Sequence, residues 1–270
     1  MLKKLFAHEW KDTWRLVGLM NLIVIGLTII GSVFLSNKTL KNAVGENEML
    51  AVAAVLYLVF YIVSVFALSF IVSIYFYIRF YKNLYTDQGY LMHTLPVSSY
   101  ALIWSKTLVA VIWSVISIFV IWIAVFSLMF AAMSPSDRTE FIQDITYAFQ
   151  SVEWDARIIV IILEFVVMMA VSMLMSVFMG YAAISIGQLF KKQKVLGAVG
   201  IYIGLYMLIQ TIMSYSSMFL TMAESGRFSD VDPLNAMMLM LLILLIVAGA
   251  FATGFYFITH YIMENQLNLE

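Results

Sequence analysis

The chain of 270 residues has no cysteine, only three prolines, only three histidines and 11% charged side chains. Without cysteine there is no disulfide and no thiolate metal ligand. His8, His93 and His260 stand far apart, and none belongs to a metal-spaced pair such as His-Glu-x-x-His. No Gly-x-x-x-x-Gly-Lys-[Ser/Thr] loop occurs, so nucleotide hydrolysis by that route is excluded. A Gly-x-Ser-x-Gly nucleophile elbow is missing too. The expectation is a chain with no catalytic residue, no metal site and no cofactor of its own, and nucleic acid is not an expected partner.

What the chain has in excess is apolar surface. It is 63% hydrophobic with a mean hydropathy of +0.97, against roughly 45–50% apolar in soluble domains. Lipid is the expected solvent. A hydrocarbon core about 30 Å thick takes roughly 20 apolar residues as helix, and six stretches qualify, at 16–35, 51–78, 107–132, 158–188, 195–222 and 234–260. Several exceed the requirement, so tilt or extension beyond the bilayer is expected. The N-terminal residues do not read as a signal peptide, because charges continue to Arg15 with no small-residue cleavage site behind a short apolar core.

Basic residues set the expected orientation. With a cytoplasmic N-terminus, the inside segments hold Lys3, Lys4, Lys11, Arg15, Arg79, Lys82, Lys106, Lys191, Lys192 and Lys194. Lys38, Lys41, Arg138, Arg157 and Arg227 fall outside, giving ten against five, the bias of the positive-inside rule. The fold class expected is an all-α polytopic membrane protein: one transmembrane domain over 1–270, six spans, and both termini inside.

Two segments outside the spans are amphipathic. Over 1–15 and into the first span, Leu2, Leu5, Phe6, Trp10, Thr13, Trp14 and Val17 recur at helical spacing, with Lys4, His8, Lys11 and Arg15 opposite. Such a helix rests in the headgroup layer, either as a plain anchor or as a surface that also meets a cytoplasmic partner. Over 134–156, Ser134-Pro-Ser-Asp is a helix start, and Phe141, Ile145, Ala148, Phe149 and Val152 then share a face. That helix is expected outside, as a connector packed on the spans or as a lid.

Within the spans, Glu164 stands out as a carboxylate about two turns in from Asp155 and Arg157. It either serves the outer rim or makes a polar contact in an outward vestibule. The fifth span carries a small-residue seam, Gly197, Gly200 and Gly204, then a polar half with Gln210, Thr211, Ser214, Ser216 and Ser217. The seam permits close helix approach. The polar half either packs within the subunit or breaks the helix and lines an exit path. Glu164, Gln210 and Ser214 are the candidates for a translocation path.

The stretch 79–106 is unlike its surroundings. Thr86-Asp-Gln-Gly is a turn, in which Asp87 can bond its own backbone and Gly89 tolerates positive φ. Tyr90 to Leu95 makes about one and a half helical turns and stops before Pro96. Ser98 or Ser99 caps the next helix, which runs through Trp104 and Lys106 into the third span. The run Phe80-Tyr-Lys-Asn-Leu-Tyr-Thr-Asp-Gln-Gly-Tyr-Leu-Met-His-Thr-Leu-Pro-Val-Ser resembles the first cytoplasmic loop of permease subunits in bacterial ABC exporters of the type-2 class, especially those of Firmicutes. Gln88 departs from that pattern, where many relatives carry an acid, and the outer loop 223–233 is too short for the re-entrant helix pair of some relatives.

The resemblance implies a coupling helix within 84–98 that a separate ABC ATPase dimer grips, with Asp87, Gly89, Tyr90, Leu91, His93, Thr94, Leu95 and Pro96 as the coupling residues. It implies ATP and Mg on that partner, a second permease, the same or different, completing the pair, and a place in the bacterial cytoplasmic membrane. A hydrophobic or amphipathic cargo (peptide, antibiotic or lipid-like) would follow. Two other readings of the residues stay open at this point. One is a secondary transporter driven by an ion gradient, although the halves show no inverted repeat. The other is a non-transporting docking or sensor protein.

Overall fold

The computed structural model describes residues 2–36, 48–86, 89, 97–152, 155–226 and 232–266, the side chains of 216, 217, 219–226 and 233 excepted. Among them the chain is helical throughout, with no strand. The helices are α1 (Leu2–Ser36), α2 (Glu48–Tyr85), α3 (Ser99–Ala132), α4 (Pro135–Ser151), α5 (Ala156–Gly187), α6 (Lys194–Gly226) and α7 (Pro233–Asn265). Six of them, all but α4, are long and apolar enough to cross a membrane. The chain divides into two compact units. One joins residues 7–75 with 112–153, the other joins 1–6, 76–111 and 154–270, so α1, α2 and α3 each contribute to both.

In the first unit α1 buries a stripe of Glu9, Thr13, Val17, Asn21, Val24, Thr28 and Gly31. The spacing of three and four is that of one helix face, yet four of the seven residues are polar. Their hydrogen bonds explain why lipid does not exclude them. Thr13 Oγ1 donates to the Glu9 carbonyl at 2.9 Å. Asn21 Nδ2 donates to the Val17 carbonyl at 2.9 Å and to Ser117 Oγ at 3.1 Å. Thr28 Oγ1 donates to the Val24 carbonyl at 2.7 Å and lies 3.1 Å from Tyr61 Oη. Tyr57 Oη donates to the Leu27 carbonyl at 2.5 Å. It closes over Gly31, where a Cβ would stand 2.3 Å from that hydroxyl. Trp10 stacks on Trp113, ring centroids 4.9 Å apart.

This stripe corrects the reading of 1–15 as a separate surface helix whose apolar face holds Trp14. α1 is one uninterrupted helix through residue 36, Trp14 is 51% exposed, and the buried face keeps the expected Thr13 and Val17 but passes through Glu9. In an apolar helix a few polar groups satisfied by their own backbone and one neighbour can face inward, and hydropathy alone cannot tell inward from outward.

The start of α4 is as the sequence predicts. Ser134 is the N-cap, its side chain accepts from the Asp137 amide, Asp137 answers the Ser134 amide, and Pro135 opens the helix. None of its residues is buried.

In the second unit α5 packs mainly on α7 and less on α6. The α5–α6 connection is tight: a Cβ on Gly187 would stand 2.6 Å from Ala198 Cβ. Gln193, between Lys192 and Lys194 in that connection, takes the left-handed conformation at φ 58°. The outer half of the fifth span does not break, since α6 is continuous to Gly226. The glycine seam is not used as expected either. Gly197 meets the Phe190 ring, but nothing lies within 4 Å of a Cβ on Gly200 or Gly204.

Candidate functional site

The residues flanking 87–96 are seated firmly in the second unit. α2 ends at Tyr85, and its last two turns are held by aromatic side chains. Phe80 is 1% exposed and lies flat on Tyr181, centroids 3.7 Å apart and planes at 7°. Tyr77 Oη donates to the Ser176 carbonyl at 3.0 Å, and Tyr85 Oη lies 2.7 Å from Ser185 Oγ. Close approach depends on Gly180, where a Cβ would stand 2.1 Å from Tyr77 Cε1. Leu84 is fully buried.

On the other flank Ser98 caps α3, with the Ala101 amide 2.9 Å from its carbonyl and 3.4 Å from its Oγ. Trp104 packs edge-on to Phe178 at 5.7 Å and against Tyr256 at 6.1 Å. The next residues inward, Ser105, Lys106 and Thr107, are all buried. Lys106 is 5% exposed, so it is an internal charge rather than a loop anchor. Sequence reading missed this, because a lysine at a span margin is ordinarily taken to snorkel toward water. The C-terminal end of α2, the N-terminal end of α3 and the C-terminal parts of α5 and α7 therefore meet at one end of this unit.

Of the eight candidate coupling residues, only Gly89 is described; Asp87, Tyr90, Leu91, His93, Thr94, Leu95 and Pro96 lie outside the described residues, as does the short helix expected there. The Gly89 amide donates to the Thr86 carbonyl at 2.6 Å, closing a turn directly after α2. The turn is where the sequence places it, but the reason for glycine differs. Gly89 has no positive φ. A Cβ there would stand 2.5 Å from the Leu84 carbonyl oxygen, so the constraint is lack of room.

The second candidate region is at the N-terminal ends of α5 and α7. Asp155 caps α5 and Asp232 caps α7. Arg157 joins them, reaching Asp155 Oδ2 at 2.6 Å through Nε and bonding Asp232 through Nη1. The guanidinium holds both carboxyls below the usual aspartate range, with the cap amides adding to the effect. Glu164 lies in an open groove of about 250 Å³ with Asn235, Met238, Leu239 and Leu242 of α7. Its Oε2 is buried without a hydrogen-bond partner among the described residues. Gln210 and Ser214 are on the exposed side of α6 and do not line this groove, so the three candidates for a translocation path are not gathered into one site within the chain. Among the described residues no group of His, Asp or Glu is placed to hold a metal ion.

Fold and site together define a class, an all-helical chain with the six long apolar helices of a multi-pass membrane protein. No protein-family model matches the chain, nor does any curated protein or solved structure.

Proposed function

We propose that the chain is the permease subunit of an ATP-driven exporter of the ABC type-2 kind, non-catalytic itself and worked by a separate ATPase dimer. The observation that carries the reading is the mounting of 87–96. The segment carries the Gly-Tyr-Leu-Met-His-Thr-Leu-Pro run. It also leaves one helix held by Phe80 on Tyr181 and enters another held by Trp104 against Phe178 and Tyr256. A force applied at Asp87 to Pro96 would reach α5 and α7 through rigid, closely packed rings rather than dissipate in a loop. The ten-to-five distribution of basic residues supports a cytoplasmic site for the segment and for both termini, in a bacterial cytoplasmic membrane. A second permease, the same or different, would complete the pathway, with ATP and Mg bound by the ATPase.

The test is co-purification of a separate ABC ATPase with the chain, followed by ATPase assays in proteoliposomes. Leu95→Asp and Gly89→Leu are expected to abolish permease-dependent stimulation of ATP hydrolysis while leaving insertion and oligomeric state intact. Stimulation unchanged in both variants would overturn the coupling role. Transport that persists without nucleotide and follows an ion gradient would replace the reading with a secondary transporter.

A further inference from the structure

α4 carries an arginine in the middle of its apolar face. Arg138 sits one turn before Phe141 and Ile142 and two before Ile145, so the guanidinium stem and these side chains share about a third of the helix circumference. An arginine there needs an explanation, and the last turn of α3 gives part of it. Arg138 Nε donates to the Phe130 carbonyl at 2.9 Å and Nη2 to the Ala131 carbonyl at 3.3 Å, and the guanidinium carbon is 5.1 Å from the Phe130 ring centroid. Cations at a helix C-terminus are favoured by the free carbonyls there. Among the described residues Nη1 has no acceptor and no carboxylate pairs with the guanidinium.

Phe130, which Arg138 contacts, also lines an open groove of about 460 Å³ along α3, with Trp122, Ile123, Phe126, Met129 and, from α4, Phe141. Its wall is almost wholly apolar, Ser127 supplying the one hydroxyl. Trp122 and Ile123 are 57% and 69% exposed, and Ile142 and Ile145 of α4 are exposed too. α4 follows a membrane-length helix after only Met133 and Ser134, so it lies at the end of a span, where headgroups begin.

We propose that this groove binds one amine-bearing zwitterionic phospholipid of the surrounding bilayer. One acyl chain lies on Trp122, Ile123 and Phe126, and the phosphate takes the free edge of Arg138. The choice of headgroup follows from charge. Arg138 is the only cation of α4, against the three carboxylates Asp137, Glu140 and Asp144, so the helix carries net negative charge. A headgroup ammonium is attracted to such a helix, whereas the extra negative charge of an anionic lipid is repelled. A planar guanidinium with an unused N–H edge is suited to a phosphate oxygen. This site is independent of the exporter reading, since it concerns a structural lipid rather than cargo.

The experiment is native mass spectrometry of the full chain released from micelles holding equal phosphatidylethanolamine and phosphatidylglycerol. One phosphatidylethanolamine per chain is expected to survive release. Arg138→Gln removes the phosphate contact but also unhooks α4, so Ile123→Trp, which fills the groove and keeps the hook, is the second variant. Each is expected to weaken retention about tenfold. Glu140→Gln with Asp144→Asn is expected to erase the preference over phosphatidylglycerol without removing binding. Retention unaffected by Ile123→Trp, or equal retention of the two lipids by the unaltered chain, overturns the proposal.

Discussion

At the centre of the first unit Asn21 reaches Ser117 and Thr28 meets Tyr61, whereas in the second Phe80 lies flat on Tyr181 with the rings in full contact. In water both arrangements would be underwritten by burial of apolar surface. In lipid that term largely vanishes between helices, because hydrocarbon is as apolar as leucine, and association rests on shape, small residues and hydrogen bonds. The first unit relies mainly on the hydrogen bonds. Each is directional but weak, averaging about 0.6 kcal/mol where such bonds have been measured between membrane helices. The second relies more on shape: Gly180 admits the Tyr77 ring, and Gly187 admits Ala198. A seam of weak bonds can yield one contact at a time, while interlocked rings move together. That difference suits the second unit, and not the first, to carry a displacement from 86–98 inward.

The sharpest way to break the comparison is to empty the aromatic clamp. Phe80→Ala removes a buried ring from between α2 and α5, and the cavity and lost ring contact are expected to cost about 2 kcal/mol or more of unfolding free energy. Denaturation in mixed micelles, followed by near-ultraviolet circular dichroism, reads the loss. A cost below about 1 kcal/mol would mean that the stacked pair is not what holds α2.

The polar seam should respond far less. A double-mutant cycle of Asn21→Leu and Ser117→Ala is expected to give a coupling energy of about 0.6 kcal/mol, and no more than about 1.7 kcal/mol. Asn21 Oδ1 is buried with no partner among the described residues, so the single change Asn21→Leu also relieves an unsatisfied carbonyl. Its cost is therefore smaller than the loss of two hydrogen bonds would suggest. A coupling as large as the Phe80 effect would erase the distinction between the units.

The two regions also differ in how far the sequence revealed them. All six membrane-length helices, the helix start at Ser134, the turn closed by Gly89 and a serine cap at 98 or 99 were legible, because each is set by neighbours in the chain. Which face of a span turns inward was not. Thr13, Asn21 and Thr28 bond their own helix backbone, Asn21 and Thr28 a second helix besides, and a hydropathy window averages over both faces. Glycine spacing misled in the same way. Gly200 and Gly204 have the expected interval and touch nothing within the chain, while Gly31 and Gly180, with no such repeat, make the close approaches. Of the candidate site, the supports on either side are visible in Phe80 and Trp104, but nothing in their spacing announced their partners in α5 and α7. Those contacts join residues roughly 70 to 150 positions apart along the chain.

The smallest expected effect is at the clasp of Asp155, Arg157 and Asp232, and it sharpens the comparison because it is neither seam nor clamp. Its three side chains are partly exposed, so salt and water screen it heavily. Both carboxyls are held below their ordinary value of 3.8. A carboxyl depressed by folding contributes stability that is complete above the ordinary value and is lost as pH falls through the depressed one. The difference in stability between the unaltered chain and Asp232→Asn should therefore be flat from pH 8 to pH 5 and should shrink below about pH 4. Phe80→Ala, which removes no titrating group, should show the same loss across that range. The clasp ties two helix caps, so its loss should loosen the first turns of α5 and α7 and leave the packed ends near Tyr85 and Ser185 untouched. Hydrogen exchange at the two ends, compared at neutral pH in high and low salt, separates these outcomes. Faster exchange near Ser185 in Asp232→Asn would show that the clasp and the clamp act as one unit.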